Sequence, residues 1–233
     1  ETLVKQLMER ADGISQDAAN LTRALKGDSK MQGDWGEMIL ARLLESSGLR
    51  LGEEFSVQST YKDKAGNLFR PDVVVHLPEE RNIIIDSKVS LTAYARLMEL
   101  DADAAPAERA AAIKAHVESV RKHITELADK DYASIVPGAC GHVLMFMPNE
   151  AAYIGAVQAQ PELVREAYDR GVLLISPTNL LMALQLAANL WQKERQSRNV
   201  RNIIAKAESL YKKCVTLDAS MEKVKRAIDT LSK

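Results

Sequence analysis

The sequence has little cysteine, no long apolar run and almost no net charge. Its two cysteines, Cys140 and Cys214, share no C-x-x-C spacing. That excludes a disulfide-stapled scaffold and a zinc framework, and it fits a reducing compartment. No apolar stretch approaches the roughly 18 residues that span a bilayer, and no signal peptide is visible. The formal net charge of −1 excludes a chain that is basic overall. Nucleotide-binding and hydrolase signatures are missing too. There is no G-x-S-x-G, no P-loop and no G-x-G-x-x-G, so acyl hydrolysis and nucleotide-driven chemistry are unsupported. The four histidines, His76, His116, His123 and His142, have no metal-ligand spacing and read as structural.

What is present is ordinary for a globular protein: 46% hydrophobic and 27% charged residues in a chain of 233. The charge is uneven. Residues 193–233 carry 11 Lys and Arg against 5 Asp and Glu, net +6, so the other 192 residues hold −7 of the total of −1. A basic segment joined to an acidic body suits an anionic partner, and a solvated helix face accounts for the charge equally well. The chain opens on Glu1 rather than Met, which is expected of a piece of something longer. The expected location is cytoplasmic, with no membrane contact from this segment.

Periodicity divides the chain into three. Leu3, Leu7, Ala11, Ile14, Ala18, Leu21 and Leu25 form a heptad-like stripe, so 1–27 reads as the end of a coiled-coil helix. Residues 28–192 read as a mixed α/β domain. It begins with a helix over Met31–Ser47, stopped by Gly48, and a strand over Phe55–Thr60. A loop over Lys62–Asn67 precedes a hairpin. Residues 90–133 are helical, broken near Pro106. Gly141–Pro148 and Gly171–Ser176 are buried strands, separated by helices that start at Asn149 and Pro161. Residues 193–233 continue a long helix that starts at the Ser176–Pro177 cap pair and ends in a heptad stripe from Leu210 to Leu231. The two terminal stripes can pair with each other as an antiparallel stalk, or between chains as a homo-oligomer.

The chemistry concentrates in "FRPDVVVHLPEERNIIIDSKVSL", residues 69–91. If the turn centres on Glu79, partners have numbers summing to 158, and Asp72 lies opposite Asp86. Like charges directly opposite are destabilising, and two buried carboxylates raise each other's pKa unless something neutralises them. A divalent cation does so, and hard oxygen ligands with room for water suit Mg²⁺ or Mn²⁺. Lys88, on the same face as Asp86, stands where it can orient an attacking water and stabilise charge on a phosphate. Each half alone is also what an ordinary strand end looks like. It is the combination of P-D, the 14-residue gap and D-x-K that points to a metal site.

Pro71–Asp72 with Asp86–Ser87–Lys88 resembles the PD-(D/E)xK nuclease signature. That resemblance implies a restriction-endonuclease-like core and a glutamate on the preceding helix, a position that Glu37 in "GDWGE" matches. The blocks "GDWGE", "RPDVVVHLPEERNIIIDSKVSLTAY", "HVLMFMPNEAAY" and "LLISPTNLLMALQLAANLWQKERQ", in that order, are similar to the RmuC family of bacterial DNA recombination proteins. The similarity covers nearly the whole chain. It implies a nuclease-like domain after a coiled coil, and an N-terminal membrane anchor in full-length members.

The expectation is therefore a metal-dependent deoxyribonuclease acting in recombination or repair. Asp72 and Asp86 bind the metal, and the Ser87 carbonyl and Glu37 complete the site. Lys88 assists the water, and Arg70 lies next to the bound phosphate. Lys193, Arg195, Arg198 and Arg201, beside Trp191, would guide DNA, a solvated coiled-coil flank being the competing reading. Glu150, at a strand-to-helix junction, is a further candidate, although an N-terminal helix acid explains it as well. The alternative is a catalytically inactive DNA-binding or coiled-coil scaffold module on the same fold.

Overall fold

A computed structural model describes residues 29–87, 92–100 and 105–231. The heptad segment expected over 1–27 lies outside the described residues, as does Lys88. The chain forms two compact units divided between Asn189 and Leu190.

The first unit begins with helix α1 (Ser29–Ser46). Trp35, Ile39 and Leu43 follow one another at i+4, and Leu40 and Leu44 lie beside them, so one face of the helix is buried. The hydroxyls of Ser46 and Ser47 donate to the carbonyls of Leu43 and Leu44, and Gly48, at φ +80°, ends the helix as its position predicts.

Strand β1 (Phe55–Val57) is shorter than expected. Gln58, at φ +49°, turns the chain into the left-handed region and stops the pairing. The stretch read as loop is the tip of a small hairpin, β2 (Tyr61–Lys62) with β3 (Leu68–Phe69). The Asp63 carboxylate there accepts the Asn67 side chain and the amides of Ala65 and Asn67. No periodicity announces two-residue strands, which is why the sequence shows only the turn residues.

The hairpin of β4 (Val73–Leu77) and β5 (Arg81–Asp86) has the register expected from its pattern, with Val73 opposite Ile85, Val74 opposite Ile84 and Val75 opposite Ile83. Pro78, Glu79 and Glu80 form the loop, both glutamates at positive φ. Strand β6 (Ala139–Phe146) runs parallel to β5, and β7 (Val172–Ile175) parallel to β6. The sheet order is β1-β4-β5-β6-β7. Its middle strands are apolar on both sides, since Val73, Val74, Val75, Ile84, Ile85, Val143, Met145 and Phe146 are all buried. A strand covered on both faces needs an unbroken apolar run, and that is what the sequence supplies.

The parallel crossovers carry the helices. Between β5 and β6 lie α2 (Thr92–Glu99), α3 (Pro106–Ala128) and the single turn α4 (Tyr132–Ile135). Pro106 sits in the first turn of α3, where its missing N–H costs nothing. Between β6 and β7 lie α5 (Glu150–Ala159), capped by the Asn149 side chain accepting the Ala152 amide, and α6 (Glu162–Asp169). Helix α7 (Pro177–Leu231) follows β7. The Asn179 amide bonds the Ser176 hydroxyl at its start, and Leu180, Leu181, Leu184 and Ala187 are buried. No described helix is long and apolar enough to cross a membrane.

In the second unit α7 continues as a helix whose apolar side chains, among them Leu210, Leu217 and Met221, are exposed.

Candidate functional site

The site forms where β4 begins and β5 ends. The antiparallel register puts residue 72 next to residue 86, and the neighbouring parallel strand β6 makes this a carboxyl edge, where open α/β sheets bind ligands. The Asp72 carboxylate accepts the backbone N–H of Ser87 at 2.6 Å, and the Asp72 carbonyl accepts the N–H of Gln58 at 2.8 Å. The acid is thereby locked to the end of the neighbouring strand.

Asp86 is fully buried. Its Oδ1 accepts from Lys130 Nζ at 3.1 Å, whereas its Oδ2 has no hydrogen-bond partner. Lys130 follows the C-terminus of α3. Asp131, in the left-handed region at φ +44°, turns the chain there, and the Lys130 side chain reaches Asp86. Its ammonium also donates to the Tyr132 hydroxyl at 3.2 Å and lies 5.0 Å from the centre of that ring. The Tyr132 hydroxyl in turn donates to the Arg70 carbonyl at 3.2 Å. Thus the segment before Asp72 and the acid at the end of β5 are tied through one lysine and one tyrosine.

A second set of bonds gathers Glu37 and Arg70. Gln58 Nε2 donates to the Glu37 carboxylate at 3.3 Å, and the Arg70 guanidinium donates to the Gln58 carbonyl at 2.8 Å and to its Oε1 at 2.9 Å. Gln58 therefore joins three of the predicted residues, Glu37, Arg70 and Asp72, and does so in a strained conformation of the kind that persists where surroundings over-determine it. Gly36 explains how α1 comes this close, since a Cβ there would stand 2.9 Å from the Ser87 hydroxyl.

The donor set fits a small hard cation. A buried carboxylate oxygen without a partner is costly, and an ion bound at Asp86 Oδ2 removes that cost. The Asp72 carboxylate and the Ser87 carbonyl belong to the neighbouring residues, and all are hard oxygens of the type Mg²⁺ prefers. Among the described residues, no group of three or more His, Cys, Asp or Glu side chains is placed to hold a metal ion. Asp72 and Asp86 are thus the two acids at this end of the hairpin, with Glu37 tied to Gln58 on the exposed side.

The other candidates lie in different settings. The Glu150 carboxylate accepts the Thr178 N–H at 3.1 Å, so it joins the N-terminus of its own helix to that of α7. In the second unit, Arg198 and Arg201 share one face, as their spacing predicts, and both bond Glu194 at 3.0 Å. The Arg198 hydrogen bond, with Arg201 adding to it, holds the Glu194 carboxyl below its ordinary range. Lys193 is exposed and Arg195 half-buried on the same helix.

Sequence reasoning missed Lys130, Tyr132 and Gln58. Lys130 lies 44 residues from its carboxylate partner, in a helix-ending "ADKDY" that carries no motif. Gln58 is an uncharged residue inside an expected strand. A positive φ on a glutamine has no sequence signal.

A family model described as RmuC family matches residues 1–233. The chain is 43% identical over 228 residues to the DNA recombination protein RmuC of Salmonella typhimurium, covering 97% of this chain and 47% of that protein. It is 42% identical to the DNA recombination protein RmuC of Escherichia coli strain K12, with the same coverage. It is also 41% identical over 227 residues to the RmuC homolog of Vibrio cholerae, covering 97% of this chain and 44% of that protein. The chain thus spans about half the length of the curated relatives it matches.

Proposed function

We propose, for a chain that belongs to the RmuC family, that its α/β unit is a metal-dependent deoxyribonuclease acting in DNA recombination. The observation that carries the reading is the buried Asp86 carboxylate, with one oxygen held by Lys130 and the other left without a partner, beside an Asp72 pinned by the Ser87 amide. The names of the relatives support the recombination setting.

In this reading Asp72, Asp86 and the Ser87 carbonyl hold Mg²⁺ or Mn²⁺. The bound ion would supply Lewis acidity toward a phosphodiester and lower the pKa of water at the site. The chain's own residues do the rest. Lys130 fixes the orientation of Asp86 by holding Oδ1, which leaves Oδ2 pointing to the ligand. Gln58 holds Arg70 and Glu37 together, so a guanidinium can meet phosphate while a carboxylate accepts a proton from water. Lys88, two residues beyond Asp86 in sequence, is assigned to the attacking water. The basic residues Lys193, Arg195, Arg198 and Arg201 bind the DNA backbone. Hydrolysis breaks one P–O bond, adds water oxygen to phosphorus and returns a proton to the leaving oxygen.

A second reading is a DNA-binding module without cleavage. It is favoured by Lys130, a built-in cation already paired with Asp86 at 3.1 Å. One experiment separates the two. The protein is incubated with single-stranded, duplex and branched DNA, with Mg²⁺, Mn²⁺ or EDTA, beside Asp86→Ala and Lys88→Ala. Metal-dependent cutting that disappears in both variants supports the nuclease. DNA binding with no cutting under any condition supports the module.

A further inference from the structure

The second unit poses a problem that the site does not touch. From residue 200 to residue 228, every a and d position of one heptad frame is apolar, with Cys214 and Met221 at a and Leu210, Leu217 and Val224 at d. These side chains stand in water. Leu210, Leu217, Met221 and Val224 are 64, 62, 64 and 59% exposed. A heptad stripe sustained over four heptads marks a coiled-coil seam, and an apolar surface of that length marks an interface.

The seam also has the right relief. Leu217, Ser220, Met221 and Val224 form a lozenge at i, i+3, i+4 and i+7, and Met221, Val224, Lys225 and Ile228 form the next. Together these six residues line a single apolar groove on the helix surface. Two adjacent lozenges of this kind are the holes that receive one a knob and one d knob of a facing helix.

We propose that the occupant is a second copy of this chain, with residues 200–228 of the two copies forming a parallel, in-register, two-stranded coiled coil. Met221 of each copy then fills the first hole of the other, and Val224 the second. The charges favour this orientation. In a parallel pair, Lys213 at g meets Asp218 at e of the other copy, twice per dimer. An antiparallel pair that layers Leu217 on Met221 would instead set Asp218 against Asp218. The same register brings Cys214 opposite Cys214, both free and exposed in the single chain. A two-fold interface of this kind is self-complementary and closes at two copies. The inference is independent of whether the first unit cuts DNA.

The test uses the full chain with Cys140→Ser, so that Cys214 is the sole thiol. Light scattering at micromolar concentration is expected to give twice the monomer mass, and a short bismaleimide to link nearly all chains into covalent dimers. Leu217→Glu with Val224→Glu is expected to halve the mass and abolish the cross-link, and Met221→Lys alone to weaken both. Circular dichroism and the unfolding midpoint of the first unit report that these exposed substitutions leave the fold intact. A monomeric mass for the parent chain would overturn the proposal. So would a dimer that does not cross-link at Cys214, or one that survives the double substitution.

Discussion

Removing Lys130 should unbalance the first unit more than its partly exposed position suggests. In Lys130→Met the stem is kept and the charge removed, depriving the Asp86 carboxylate of its Lys130 partner inside a fully buried site. Breaking a buried ion pair by deleting one partner costs about 3–5 kcal/mol. The lower end applies here, about 3 kcal/mol, because a quarter of the Lys130 side chain is exposed and water screens the pair. Part of that loss, about 0.5–1 kcal/mol, is the contact of the ammonium with the Tyr132 ring. Asp86→Asn removes the charge from the other side and should cost about 1 kcal/mol, the worth of an ordinary hydrogen bond. With no charge left to strand, the double variant should be little worse than Asp86→Asn alone, a coupling of about 2 kcal/mol. Urea unfolding at pH 7, with the slope held constant across the four proteins, measures each leg. A loss under about 0.5 kcal/mol for Lys130→Met, or additive losses in the double variant, would refute the assignment of Lys130 as the cation that balances Asp86.

Three further outcomes can be checked. Mg²⁺ should raise the thermal unfolding midpoint of the parent chain, by an amount equivalent to about 2.7 kcal/mol at a hundredfold excess over its dissociation constant, and should do nothing for Asp86→Asn. His116 is buried, with Nε2 on the Ala152 carbonyl, and burial holds its pKa below the ordinary 6.5. The unfolded chain therefore binds a proton that the folded one refuses, so this contribution is intact above pH 6.5 and lost as the pH falls below it; His116→Gln should flatten that limb of the stability–pH curve. Gln58→Gly relieves left-handed strain of about 1 kcal/mol while deleting two exposed hydrogen bonds worth about the same. Its urea midpoint should stay close to the parent's, whereas any DNA cleavage should fall, because Glu37 and Arg70 lose their common tether; unchanged cleavage would remove Gln58 from the site.

Residues 69–91 show how far sequence alone carries. Side chains alternate along a strand, the apolar runs Val73–Val75 and Ile83–Ile85 must both be buried, and the turn residues between them leave one register that pairs them. Asp72 and Asp86 follow from that register as neighbours at one end of the hairpin, and the structure places them there. The helix caps at Asn149 and Ser176 and the stop at Gly48 were legible for the same reason, because each is a local bond or a local dihedral. The heptad frame after residue 200 is equally local, being a matter of spacing on one helix.

What surrounds the two acids was not legible. Lys130 reaches Asp86 only because α3 runs its length and the chain turns at Asp131, and nothing in the sequence separation of 44 encodes that distance. Gln58 became the link between Glu37, Arg70 and Asp72 because β1 breaks one residue after Val57, where the sequence pattern runs on. The sequence by itself therefore determined the helices and the central strands among the described residues, the hairpin register and the carboxylates at its end, since these depend on periodicity and neighbours. Tertiary structure alone decided which cation balances Asp86, which of its oxygens is left without a hydrogen-bond partner and which residue tethers Glu37 to Arg70. Those depend on where distant segments meet in space, and residue spacing along the chain does not carry that information.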